Sequence, residues 1–177
     1  MATAAVRPAT AADVDEIVRL QAGTWQLAYA GLLPEAALAQ VAGPAARAAW
    51  TAAVAAEGPS RVLIATEGHF TVGFCAAALS DEAPEWAEIA ALVVEPRWGR
   101  RGHGGRLLAA AAAQLGELGA RYGLAWVAEA DDATRRFYAS AGWGPDGQAR
   151  VLDTGEGELR ELRITGSLAL ELVGRLG

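Results

Sequence analysis

The chain has no lysine and no asparagine, one cysteine (Cys75), one methionine and two histidines (His69 and His103) among its 177 residues. Each shortage removes a class of function. A Walker phosphate loop ends in Gly-Lys-Ser/Thr and cannot be built without lysine; all 15 basic side chains are arginine. A single cysteine excludes an internal disulfide and fits a reducing compartment. Cys75 lies in an apolar run and reads as core rather than as a nucleophile. Two scattered histidines and one cysteine offer no metal-ligand spacing. No 18-residue apolar run escapes interruption by charge or glycine, so no transmembrane helix is expected. The N-terminus lacks the charged-then-apolar layout of a signal peptide. A net charge of −6 and an isoelectric point near 5.0 argue against a nucleic-acid partner. These readings predict a cytoplasmic protein with neither membrane nor nucleic acid as partner. The lysine-free, alanine- and arginine-heavy usage points to a GC-rich bacterial genome.

What is present is a chain long enough for one sizeable core, with 53% hydrophobic residues. A single domain over 1–177 is expected, with 166–177 an unassigned tail. Period-two and period-3.6 patterns predict a strand at 4–8, a helix at 11–22 and a helical region at 34–56 broken at Gly43-Pro44. Strands follow at 60–67, 69–79 and 86–94. A helix at 103–119, a strand at 122–129, a helix at 131–141 and strands at 147–153 and 158–165 complete the reading. Strands mixed around a central β-α-β unit make the fold class α/β.

The most informative segment is Val94-Glu95-Pro96-Arg97-Trp98-Gly99-Arg100-Arg101-Gly102-His103-Gly104-Gly105-Arg106-Leu107-Leu108. An apolar strand ends at Pro96, arginines and glycines follow, and a helix opens. Glycines allow close approach to backbone N–H groups, and a helix N-terminus carries about half a positive charge. The arrangement suits a phosphate or diphosphate. A dinucleotide fingerprint is excluded because the third residue after Gly104 is Leu107. Trp98 either covers this loop or stacks on an adenine.

The loop resembles that of the GNAT acyltransferases, V-x-P followed by Arg/Gln-x-x-Gly-x-Gly/Ala and a helix. Val94, Pro96, Gly102 and Gly104 match; Gly99 stands where Arg or Gln is usual, leaving Arg100 or Arg101 to supply the charge. A second segment, Asp131 to Trp143, resembles the family's N-x-x-A-x-x-F-Y-x-x-x-G-F helix, with Asp131 in place of Asn as the helix N-cap. The resemblance spans roughly Val6 to Ile164. It implies the GNAT fold, a mixed central sheet of about six to seven strands flanked by helices. It also implies an N-acetyltransferase that moves the acetyl group of acetyl-CoA directly to a primary amine of a small molecule, amino acid or peptide N-terminus, without metal, as a monomer or homodimer. A non-catalytic acyl-CoA-binding sensor or interaction domain is the alternative.

Site residues follow from the resemblance. The strand before the loop should part from the strand after the next helix, exposing the backbone of Leu92, Val93 and Val94 to the pantetheine arm. Arg100, Arg101, Gly102, His103, Gly104, Gly105 and Arg106 should surround the diphosphate, with Asp131 and Phe137 completing the cofactor site. Tyr138 is the expected acid: a phenol titrates near 10, above a thiol at about 8.5, so Tyr138 stays protonated at neutral pH and can donate to a departing thiolate; otherwise it is a packed tyrosine beside Phe137. Glu88 is the leading base, on the expectation that an apolar strand buries its carboxylate; otherwise it points to water. Glu129 and Asp131 are second choices. Trp25 and Tyr29 are expected at the acceptor, beside the acidic residues 81–85, where an aromatic pair suits a cationic amine; their i, i+4 spacing suits core packing equally.

Overall fold

The computed structural model describes residues 3–170. The elements are β1 (Ala4–Pro8), a 3-10 turn (Ala11–Asp13), α1 (Val14–Tyr29), α2 (Glu35–Gln40), α3 (Pro44–Ala55), β2 (Ser60–Glu67), β3 (Phe70–Leu79), β4 (Trp86–Val94), a second 3-10 turn (Pro96–Trp98), α4 (His103–Glu117), β5 (Tyr122–Ala128), α5 (Asp132–Ser140), β6 (Gly144–Asp153) and β7 (Glu158–Ser167). The seven strands form one sheet in the order β1-β2-β3-β4-β5-β7-β6. Only the β4–β5 junction is parallel, because α4 carries the chain across between them.

Each face of the sheet takes a different helix layer. The amphipathic α4 turns Leu107, Leu108, Ala111, Ala112 and Leu115 onto one face, against Leu63, Cys75, Ile89 and Val127. Burying a leucine completely contributes about 1.5–3 kcal/mol, so this row alone fixes the helix to the sheet. The opposite face receives Ile17 and Leu20 of α1, which pack on Ile64, Phe74 and Val93.

Boundaries of three elements differ from expectation. The first helix proper starts at Val14 and runs seven residues beyond 22, to Tyr29. Asp13 shapes its entry: its carboxylate accepts from the Thr10 backbone N–H at 2.8 Å and from Arg7 at 2.8 Å through both oxygens. The strand expected from 147 opens at Gly144, and β7 takes in Gly166 and Ser167 from the unassigned tail. Residues 171–177 of that tail lie outside the described residues.

The feature that organises the site is a split in the sheet. Between β3 and β4, Ala76 faces Ala91 and Ala77 faces Ile89, so Ala90 is the extra residue of a bulge; a bulge bends its strand and sharpens the local twist. Beyond it β4 leaves β5. Their ladder has three rungs, Trp86 with Tyr122, Ala87 with Gly123 and Glu88 with Leu124. From Ile89 to Val94, β4 is bonded to β3 alone.

At the end where β4 and β5 are still paired, Trp143 ties α5 to the sheet. Gly123 and Gly166 face each other on β5 and β7. A Cβ on either would lie 2.2 or 2.1 Å from the Trp143 ring. The indole therefore lies on a bare strip of backbone, and its Nε1 donates to the Ser167 carbonyl at 3.0 Å.

Candidate active site

The site is built where β4 ends. Backbone groups of Ile89–Val94 have no strand partner on the side facing β5, although each buried amide needs one. The Leu92 and Val94 side chains pack toward α4 and Val93 toward α1, leaving the strand edge itself to a ligand. The predicted parting of Leu92, Val93 and Val94 from β5 is present.

Past Pro96 the chain makes a tight concave turn. Arg100 has φ +63° and Gly102, the N-cap of α4, has φ +81°. Left-handed residues set close together turn successive N–H groups to one side and make an anion-binding concavity. The first intrahelical bond runs from the Arg106 N–H to the Gly102 carbonyl at 3.0 Å. The N–H groups of His103, Gly104 and Gly105 precede it and have no helical acceptor. At Gly104 the reason for glycine is partly packing, since a Cβ would stand 3.0 Å from the Phe137 ring. Phe137 thus sets the spacing of α5 against the head of α4.

The arginines of the loop separate into different roles. Arg97 pairs with Glu95 at 3.0 Å, and Arg101 with Glu67 at 2.9 Å. Arg106 folds back to donate to the Arg101 carbonyl at 3.0 Å. Among the described residues Arg100 alone of the four has no hydrogen-bond or ion-pair partner, and it is exposed. Of the two arginines proposed from sequence for the anion, Arg100 is free and Arg101 is engaged behind the loop. The His103 side chain also departs from expectation. It is 2% exposed, with Nε2 on the Glu67 carboxylate at 2.8 Å, so its backbone N–H is the part offered to a ligand. Trp98 covers the loop: the Arg101 guanidinium lies 4.8 Å from its ring and Phe70 5.5 Å away.

Tyr138 sits at the seam between the two parts of the sheet. It is 3% exposed, stacks on Trp143 at 5.3 Å and meets Phe137 edge-on at 5.1 Å. Cys75, its neighbour on β3, pairs with Leu92, which places the phenol at the level where β4 is bare. Burial, then Cys75, pushes its pKa far above the ordinary phenol range. Among the described residues no group hydrogen-bonds its hydroxyl, and the hydroxyl is not sealed from solvent. Cys75 is fully buried with its thiol pushed up to about 12 by burial, which suits core, not nucleophile.

Glu88 occupies the last rung before the split, on the face opposite Ala87 and Ile89. Its side chain is exposed, so of the two sequence readings, burial in an apolar strand or an edge glutamate pointing to water, the geometry matches the second. Of the second choices, Asp131 is committed to its cap, accepting from the Thr134 N–H at 3.0 Å and hydroxyl at 2.7 Å, and Glu129 pairs with Arg160 at 3.3 Å.

Trp25 and Tyr29 meet edge-on at 5.3 Å and are half-buried. The Tyr29 phenol is pushed up to about 12, first by burial and then by Asp131 and Glu161. The carboxylates that act on it belong to the far side of the split. Sequence reasoning missed Trp126, which bears the Arg150 guanidinium 4.4 Å over its ring, and Glu161, which holds Arg150 at 2.5 Å. It also missed Glu67. None of the three carries a sequence signal, because each acts through a neighbour distant in the chain.

Two surface hollows, of about 450 and 340 Å³, lie outside the split, at the C-terminal end of α4 and between α5 and β6. Among the described residues no group of three or more metal-ligating side chains occurs, and no helix is long and apolar enough to cross a membrane.

Comparison with known proteins bears on this geometry. The profile of the acetyltransferase (GNAT) family matches residues 25–143, which include both the loop and the Asp131–Trp143 segment. No curated protein sequence matches the chain. Among solved structures, the PaiA N-acetyltransferase from Thermoplasma acidophilum in complex with coenzyme A is 15% identical, covers 93% of this chain and 99% of its own, and superposes with a TM-score of 0.77. A GCN5-related N-acetyltransferase from Rhodopseudomonas palustris is 24% identical over 94% of this chain and 97% of its own, with a TM-score of 0.73. The yncA protein of Salmonella typhimurium with its cofactor acetyl-CoA is 18% identical over 97% and 96%, with a TM-score of 0.65. At these identities the likeness concerns the fold.

Proposed function

We propose that this chain, which belongs to the GNAT acetyltransferase family, is a single-domain N-acetyltransferase that moves the acetyl group of acetyl-CoA directly to a primary amine. The observation that carries the reading is the convergence, at one level of the sheet, of a bare strand edge, an anion-binding turn and a buried phenol with a free hydroxyl.

The residues present fit the donor. Its diphosphate meets the N–H groups of His103, Gly104 and Gly105 with Arg100 beside them; its pantetheine arm extends along the unpaired edge from Leu92 to Val94. A backbone N–H at that edge is positioned to donate to the thioester oxygen. The acceptor enters from the α1 side, past Trp25 and Tyr29. An alkylammonium titrates near 10, so a proton must leave before the nitrogen is nucleophilic. Glu88, exposed at the head of the split, receives it directly or through water. The nitrogen then bonds to the carbonyl carbon, the carbon–sulfur bond breaks, the Tyr138 hydroxyl protonates the departing thiolate, and the second nitrogen proton, shed as the amide forms, returns Tyr138 to its neutral form. Burial holds Tyr138 protonated until the thiolate departs. The acceptor is a small amine, an amino acid or a peptide N-terminus, and the protein acts in the cytoplasm.

The test pairs binding with turnover. Coenzyme A at a hundredfold excess over Kd stabilises a native protein by about 2.7 kcal/mol; it should raise the melting temperature while NAD and ATP do not. Thiol release from acetyl-CoA should then depend on one or more members of an amine panel. Binding without turnover on any amine would leave a sensor domain instead. Stabilisation by NAD or ATP equal to that by coenzyme A would remove the acetyl-CoA reading.

A further inference from the structure

The anion-binding turn has the split on one side and the β2–β3 hairpin on the other, and this hairpin carries a cluster that the transfer reaction does not use. Glu67, the last residue of β2, takes the Arg101 guanidinium on Oε1 at 2.9 Å and His103 Nε2 on Oε2 at 2.8 Å. His103 is sealed from solvent, and a buried polar ring needs a partner; Glu67 is that partner. Phe70, at the start of β3, packs on Trp98, and Trp98 in turn lies under Arg101. One carboxylate on a separate hairpin thus grips the two residues that flank Gly102.

The grip coincides with backbone strain. Arg100 is the single non-glycine residue with positive φ among the described residues, and such a conformation persists only where its surroundings over-determine it. The adjacent Arg101 is fixed by Glu67 and Trp98, and His103 two residues further on by Glu67 again. Without those anchors nothing at Arg100 itself favours the left-handed form over an extended one.

We infer that Glu67 is a positioning residue for donor binding: it draws the Arg101 and His103 side chains behind the turn and locks the backbone so that Arg100 and the free N–H groups face the diphosphate. This rests on the acetyl-CoA reading above for the identity of the anion. Glu67 touches no part of the donor and acts through Arg101 and His103 alone. Its own ionisation suits the task, because the His103 hydrogen bond and the Arg101 charge hold its carboxyl below the ordinary range.

The experiment compares acetyl-CoA with S-acetylpantetheine, which lacks the diphosphate and cannot engage the turn. Wild type, Glu67→Gln and Glu67→Ala are measured with both donors, with melting curves to establish folding. Glu67→Ala should raise KM for acetyl-CoA about tenfold, equivalent to about 1.4 kcal/mol, with kcat within about threefold of wild type. Its kcat/KM for S-acetylpantetheine should not move. Glu67→Gln still accepts from His103 but loses the charge opposite Arg101, so it should fall between. Equal losses with both donors, or an unchanged KM for acetyl-CoA in either folded variant, would overturn the inference. Calorimetry with coenzyme A separates the two failures. Wild type that binds no coenzyme A sinks the acetyl-CoA reading, whereas coenzyme A binding that persists undiminished in both variants sinks only the role of Glu67.

Discussion

The strands on the two sides of the split are held by different forces. On the β1–β4 side, β3 is buried continuously from Val72 to Ala77 between α4 and the α1–α3 layer. On the β5–β7–β6 side, β6 is exposed at every position after Gly144. Ion pairs pattern this side: Arg150 with Glu161 at 2.5 Å and Arg163 with Asp146 at 2.6 Å on one face, and Arg160 with Glu129 at 3.3 Å on the other. Exposed pairs of this kind each contribute about 0–1 kcal/mol. The edge proposed for the donor therefore belongs to a close-packed body, while the strands proposed to face the acceptor are fixed by Trp143 and trimmed by charge. A coenzyme common to a family asks for the first kind of construction, and an acceptor that varies within it is served by the second.

The largest expected effect tests the seam itself. Tyr138→Phe keeps the stack on Trp143 and the edge contact with Phe137 but removes the hydroxyl. Positioned acid–base groups contribute about 10²–10⁴-fold, so kcat should fall by about a hundredfold or more, with KM for acetyl-CoA little changed. A folded variant with wild-type kcat, under conditions where chemistry limits the rate, would reduce Tyr138 to a packing residue joining the two sides.

Next comes the attachment of the polar side. Gly166→Ala places a methyl 2.1 Å from the Trp143 ring and should destabilise by about 1–3 kcal/mol through overpacking. Denaturant titration measures it against Gly116→Ala on α4, where a Cβ meets nothing within 4 Å and a gain of about 0.5–1 kcal/mol is expected. Equal behaviour of the two variants would show that Trp143 does not seat the polar strands.

On the packed side, Asp13 is nearly buried, and its carboxyl is held at about 2, chiefly by the Arg7 hydrogen bonds. The ordinary value is 3.8, and the depression corresponds to roughly 2 kcal/mol. A depressed folded-state pKa gives stability that is complete above the unfolded value and is lost as pH falls. The Asp13→Asn deficit should thus be full above about pH 5 and shrink between about pH 4 and 2. A deficit independent of pH over that range would show that the pair with Arg7 is not its source.

Arg100→Gly should move stability and affinity in opposite directions. Relief of the left-handed strain should add about 1 kcal/mol to stability, while loss of the free guanidinium should weaken coenzyme A several-fold. Affinity unchanged at low salt would shift the anion charge onto another residue. The smallest effect should be Arg163→Ala on the open face, below about 1 kcal/mol and fading with added salt. A larger, salt-insensitive loss there would collapse the distinction between the two sides.

How much of this was legible beforehand varies by element. The 3.6-period row from Leu107 to Leu115 announced α4, and the apolar run from Ile89 to Val94 announced β4, because each is dictated by burial along a single segment. The Gly102 and Gly104 positions and the Asp131 cap were equally local. Glu88 was left between burial and water: strand hydrophobicity suggested burial, but exposure depends on which elements cover which part of a face. His103 and Arg101 were assigned to the ligand because they sit in the loop; their side chains turn away because Glu67, more than 30 positions earlier, offers both a partner.

The sequence by itself determined the α/β class, the glycine-rich turn before α4, the cap and length of the tyrosine-bearing helix and the family, since these rest on residues close together in the chain, where backbone sterics and periodicity operate. Only the tertiary structure decided that β4 leaves β5 after three rungs, that Trp143 lies across Gly123 and Gly166, that Arg100 rather than Arg101 stays free, and that Tyr29 faces Asp131 and Glu161. Burial, strand partnership and ion pairing are set by groups that folding brings together from far apart, and no pattern within one segment encodes which of them will meet.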